Sequence, residues 1–142
     1  MRKLFVLFGL SLATPVWAVD AQSLLGALRI VESGQVQDGH VPRGDHGKAR
    51  GPLQIHQKYW QDSQYYGSPA LGLTWADCER SGPSELVVRA VWHRYDPGIS
   101  LNIDLSMGDL RILALRHHYG GGSDRRSDPD RYWPRVLKVI KH

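Results

Sequence analysis

The spacing of apolar and polar positions predicts a mostly helical domain. In "AQSLLGALRIVES", Leu24, Leu25, Leu28, Val31 and Glu32 fall on one helical face, and Gly34 follows as a helix stop. From Gln35 to Gly51, four glycines with Pro42 and Asp45 predict turns and a short hairpin. "GPLQIHQKYWQDSQ" restarts a helix with Pro52 in its first turn, where the missing N–H costs nothing. Tyr65 to Trp75 reads as irregular chain around Gly67, Pro69 and Gly72. Ser84 is placed to cap a helix running to about Tyr95, and Pro97-Gly98 stops it. Ser106 and Asp109 have the spacing of a capping box, with Leu110, Leu113, Ala114 and His117 following on one face until Gly120-Gly121-Gly122. Asp128-Pro129 opens a last helix, in which Pro134 lies close enough to the start to bend rather than break it. The expected class is mainly α (α+β), with about five helices and a small turn or hairpin region after the helix that carries Glu32.

At 142 residues the chain suits one domain. Arg2 and Lys3, the apolar run Leu4 to Leu12 and the small residues around Val16-Trp17-Ala18 read as a cleaved export signal over residues 1–18, leaving a domain over 19–142. The apolar run is shorter than the roughly 20 residues that span a bilayer, so no lasting membrane anchor is expected. A secreted or periplasmic location follows. Export removes two of the 18 Lys+Arg and none of the 14 Asp+Glu, so the remaining domain is only slightly basic. No stripe of like charge argues for nucleic acid, although a weak positive balance suits an anionic cell wall. Cys78 is the only cysteine, so no disulfide within the chain is possible, and stability must come from a packed core. In "TWADCERSG" no histidine stands beside it to activate the thiol.

Glu32 carries the candidate chemistry. It emerges on the apolar side of its helix, where desolvation and the negative end of the helix dipole would both raise its pKa and keep it protonated as a general acid. The alternative is a helix-end glutamate that merely reaches water. A glycosidase commonly sets a second carboxylate across the bond, and Asp38 and Asp45 stand in the turn segment as candidates. Turns also favour aspartate for local hydrogen bonding alone. Among the histidines, His40, His46, His117 and His118 form no recognised metal-ligand motif, so no metal or other cofactor is expected. "HYGGGS" follows a helix rather than a strand, which argues against a phosphate loop.

The order "ESG", then a glycine-rich turn with Asp, then "GPLQIHQKYWQDS", resembles the invertebrate-type (destabilase-like) lysozymes, as do "LALRHHYGGGS" and "RYWPRVLKVI" further on. The resemblance runs from Leu24 to Ile140 and implies a lysozyme-like fold in a bacterial branch without the animal enzymes' disulfides. It implies Glu32 as catalytic acid and Asp45 as the second carboxylate, with Ser33, Gln54, Ile55, His118, Tyr119, Gly120 and Gly121 at substrate-binding positions. Tyr119 stands where that family has Asn. "YWPRVL" is also similar to the closing helix of soluble lytic transglycosylases, which share a glutamate acid but finish the reaction differently. The substrate implied is peptidoglycan or a chito-oligosaccharide, cut at the β-1,4 bond after N-acetylmuramic acid. Tyr59, Trp60, Tyr119 and Trp133 are either flat faces for sugar rings or core. A non-catalytic wall-binding module is the alternative from another class, and nothing in the chain speaks to its oligomeric state.

Overall fold

The computed structural model describes residues 18–34, 41, 43–122 and 127–142. Residues 1–17 of the segment expected to be an export signal, together with Asp38, His40 and Pro42, lie outside the described residues. The chain runs α1 (Ala21–Ser33), β1 (Ala49–Arg50), β2 (Ile55–His56), α2 (Gln57–Asp62), α3 (Ser81–Tyr95), α4 (Met107–Tyr119) and α5 (Tyr132–Ile140). It is mainly helical with one antiparallel two-stranded ladder. No helix among the described residues is long and apolar enough to cross a membrane.

The apolar stripe of α1 forms as its spacing requires. Asp20 accepts the Ser23 N–H at 2.7 Å as N-cap, Leu24, Leu25 and Leu28 are fully buried, and Gly34 closes the helix in the left-handed region at φ 72°. Val19 tethers the start of the domain, because its carbonyl accepts the Leu105 N–H at 2.9 Å. From α3, Val87, Val88 and Val91 enter the core, and the buried Trp92 indole donates to the Leu113 carbonyl of α4 at 2.9 Å. Ser106 and Asp109 form the expected capping box of α4. The last helix, α5, packs on both α1 and α4, which brings its first residue, Tyr132, against Glu32.

Three boundaries differ from expectation. The helix expected from Pro52 begins at Gln57, because Gly51 to Gln54 make the turn that joins β1 to β2. Gly51 sits at φ 70°, and a Cβ there would lie 1.8 Å from the Cys78 carbonyl, so only glycine fits. The hairpin therefore lies later in the chain than the segment expected to form it. Helix α3 starts at Ser81 rather than at Ser84, whose hydroxyl donates back to the Ser81 carbonyl at 2.8 Å inside the helix. Helix α5 starts at Tyr132, which leaves Pro134 harmless in the first turn. Asp128 still serves that helix, its two oxygens accepting the N–H groups of Tyr132 and Trp133 at 2.7 and 2.9 Å. Within the irregular stretch, Thr74 and Asp77 form a second capping box that opens a 3-10 turn over Trp75–Glu79. Cys78 is buried in that turn, and burial pushes its thiol up to about 12, which removes it as a nucleophile near neutral pH.

Candidate active site

A cleft of about 510 Å³ opens where the end of α1, the β1–β2 hairpin, α2 and the end of α4 meet. Glu32, on the last turn of α1, lies in its wall with only 18% of its side chain exposed. Three groups converge on one carboxylate oxygen. The Tyr132 hydroxyl donates to Glu32 Oε1 at 2.6 Å, and His117 Nε2 and His118 Nδ1 stand 3.7 and 3.8 Å from the same atom. At those distances the imidazoles act as nearby charges or dipoles, and the Tyr132 hydroxyl makes the formed hydrogen bond.

These contacts overturn the expected direction of the Glu32 pKa. Burial is the largest single influence and pushes the carboxyl up. Against it act the nearby His118 imidazole, the charge of His117 and the Tyr132 hydroxyl, which together hold the carboxyl below its ordinary value. His117 is itself buried, and burial lowers its pKa more than the neighbouring Glu32 raises it. Its charge is therefore lost on going from acid toward neutral pH, and with it part of what favours the carboxylate. Replacing Tyr132 with phenylalanine removes a donor that binds only the charged acid more tightly. The Glu32 carboxyl should then titrate higher, because the lost donor stabilised its charged form. A carbon-13 titration of the Glu32 side chain checks this, and an unchanged midpoint in Tyr132→Phe would refute it.

A run of contacts holds these partners in place. His118 stacks on Tyr132 with centroids 4.0 Å apart and planes 9° from parallel, meets Tyr119 edge-on at 4.6 Å, and has Nε2 3.5 Å from Asp130 Oδ2. Tyr119 donates to Asp128 Oδ1 at 2.9 Å, the same carboxylate that caps α5. Beneath the glycine turn after α4, the buried Arg116 pairs with Asp96 at 2.9 Å and donates to the carbonyls of Gly120 and Gly121 at 3.0 and 2.5 Å. Gly121 is pinned against Tyr95, whose ring would lie 2.1 Å from an added Cβ. Gly120 and Gly121 thus form a fixed wall of the cleft.

Asp45 reaches the same cleft from the hairpin side. It opens a 3-10 turn in which Asp45 and His46 both take left-handed backbone, at φ 48° and 54°. Two consecutive side-chain-bearing residues in that region are strained, and such strain gathers at functional sites. Its carboxylate is half-exposed, with Oδ1 3.8 Å from His46 Nδ1 and Oδ2 3.8 Å from His56 Nε2. Gln54, also at positive φ, lines the cleft and donates to the Gly51 carbonyl at 2.8 Å. It packs so close under the turn that a Cβ on Gly44 would lie 1.7 Å from its Oε1.

The remaining expected site residues divide. Ile55, Tyr59, His118 and Tyr119 all line the cleft. Tyr59 is buried edge-on to His117, so it offers no flat face, but its hydroxyl has no hydrogen-bond partner among the described residues. Ser33 turns away from the cleft lining, its hydroxyl lying 3.0 Å from the Arg29 carbonyl and 2.9 Å from that of Pro52, so it ties α1 to the hairpin turn instead. Trp60 donates to the Leu73 carbonyl at 2.8 Å and packs on the core, as does Trp133, and neither lines the cleft. His56, Lys58 and Asp62 join the lining without having been singled out from the sequence. Tyr132 and Arg116 were likewise missed; an arginine one position before two histidines on a largely buried helix was the available signal. No group of three or more His, Cys, Asp or Glu among the described residues is arranged to hold a metal. No protein-family model matches the chain, and neither does any curated protein or solved structure.

Proposed function

We propose that the protein is an exported peptidoglycan-cleaving glycosidase with a lysozyme-like fold, which cuts the β-1,4 bond after N-acetylmuramic acid with Glu32 as general acid. One observation carries this: a largely buried glutamate, gripped by a tyrosine hydroxyl and flanked by two imidazoles, in a cleft that also holds a second carboxylate. In the reaction, protonated Glu32 gives its proton to the bridging oxygen as the bond from that oxygen to the anomeric carbon breaks. Asp45 stabilises or captures the positive charge that develops at that carbon. The Glu32 carboxylate then takes a proton from the water that attacks the anomeric carbon, any bond from that carbon to Asp45 breaks as the new C–O bond forms, and the enzyme returns to its starting state.

The low resting pKa of Glu32 does not stand in the way. A sugar chain filling the cleft expels water and strengthens the burial influence, which already is the largest and acts upward. The protonated acid is thereby favoured in the complex relative to the free enzyme, and activity belongs on the acidic side of neutrality.

A lytic transglycosylase is the second reading, favoured by the half-exposed Asp45, whose charged neighbours among the described residues are His46 and His56 rather than a group at the acid. There the muramyl 6-hydroxyl attacks the anomeric carbon and gives an anhydro end without water. Asp45→Asn separates the two. If Asp45 supports hydrolysis, kcat should fall by about 10²-fold or more with reducing muramyl ends as the wild-type product. Anhydro ends by mass spectrometry, with Asp45→Asn near wild-type rate, would establish the lytic route instead.

A further inference from the structure

A second hollow of about 490 Å³ lies beside the cleft and shares His56 and Lys58 with it. Its lining contains Lys48 and Lys58, the imidazoles of His46 and His56, and the indole of Trp75, and it includes no carboxylate among the described residues. Asp45, in the wall of the cleft, faces the two imidazoles at 3.8 Å each. Neither lysine has a carboxylate within ion-pair distance among the described residues, and the acid one turn along α2 from Lys58, Asp62, lines the adjoining cleft rather than this groove. The groove has a rigid side. Trp75 donates its indole N–H to the Ile55 carbonyl at 2.9 Å, and the Arg50 guanidinium lies 4.0 Å from its ring centroid.

We propose that this basic hollow binds the carboxylates of the lactyl-peptide substituent on a muramyl residue whose glycan strand lies in the adjoining cleft. This rests on the glycosidase reading of that cleft and adds a selectivity to it. Every muramic acid carries a lactyl ether whose peptide stem ends in, and is punctuated by, free carboxylates, whereas an N-acetylglucosamine polymer has no charge at all. A strand bound across Glu32 brings such a stem past His56 and Lys58, the two residues common to both hollows. Lysine suits a mobile stem, because its ammonium is a point charge that needs no fixed bidentate geometry. The hollow thus favours the charged wall polymer over chitin-like chains.

Calorimetric titration of the Glu32→Gln protein tests this without turnover. A disaccharide-pentapeptide muropeptide with free carboxylates should bind about fivefold to tenfold tighter than the same compound with its carboxylates amidated, a size set by two exposed charge pairs. The preference should disappear in the added double substitution Lys48→Gln, Lys58→Gln, and shrink as salt rises. Equal affinity for the two muropeptides, a preference that survives the double substitution, or no binding of either compound would each overturn the proposal. A wild-type protein that binds the charged compound selectively but cleaves no peptidoglycan would refute the glycosidase reading while leaving the anion site standing.

Discussion

Glu32→Gln is expected to lower kcat on peptidoglycan by about 10²–10⁴-fold while the protein stays folded. Glutamine keeps the side-chain volume and keeps an amide oxygen to accept from Tyr132, which donates to Glu32 Oε1 at 2.6 Å in the native site. What disappears is the transferable proton. Neither neighbouring imidazole replaces it: His118 lies 3.8 Å from the acid and is held by stacking on Tyr132, and buried His117 is disfavoured in its protonated form. The substitution also removes the negative charge that stabilises protonated His117, so no compensating acid arises at that position. Turbidity clearing of cell walls beside a thermal unfolding curve checks both halves of the expectation. Clearing within tenfold of wild type would remove Glu32 from its assigned role.

The largest effect on stability is expected at Asp96→Ala, about 3–5 kcal/mol. The Asp96 and Arg116 side chains are 0% and 4% exposed, so the substitution leaves a guanidinium buried without its counter-charge. Removing both charges, with Asp96→Leu and Arg116→Met together, should recover part of that loss, because the uncompensated ion is then gone. It should not restore the cleft, since Arg116 also fixes the carbonyls of Gly120 and Gly121. Urea unfolding midpoints for the single and double variants measure this. A loss below about 1 kcal/mol in Asp96→Ala would show that the pair does not hold the α3–α4 junction.

Parts of this architecture were legible in the residues because they depend on local chemistry. The stripe of Leu24, Leu25 and Leu28 with its Gly34 stop, and the Ser106–Asp109 capping box, are set within a turn or two of chain. Thr74–Asp77 has the same spelling and was open to the same argument, yet Thr74 lay at the end of a stretch, Tyr65 to Trp75, read as irregular because of Gly67, Pro69 and Gly72. The late start of α2 was harder. Pro52 fits a helix start as well as a tight turn, and the choice is made by Cys78, whose backbone leaves room only for Gly51.

At the site, helical spacing was enough to place Glu32 on the apolar side, but not to set the direction of its pKa. Burial acts as expected there. The opposing influences come from α4 and from Tyr132, which is one hundred residues away in the chain. No local pattern announces such a partner, and of the "YW" pair at the start of α5 only Trp133 drew a reading, as sugar face or core. Arg116 offered only the faint signal of its place beside two histidines, and Asp96, just past a helix end, offered none, because each is identified as a buried charge only by the other.

The identity of the bond that is cut tests the central claim most directly. Mass spectrometry of purified peptidoglycan strands after digestion should reveal chains ending in muramic acid, reducing or anhydro, with wild-type protein, and none above background with Glu32→Gln. Intact glycan strands, cuts confined to the peptide stems, or the same muramyl ends released equally by Glu32→Gln would contradict it.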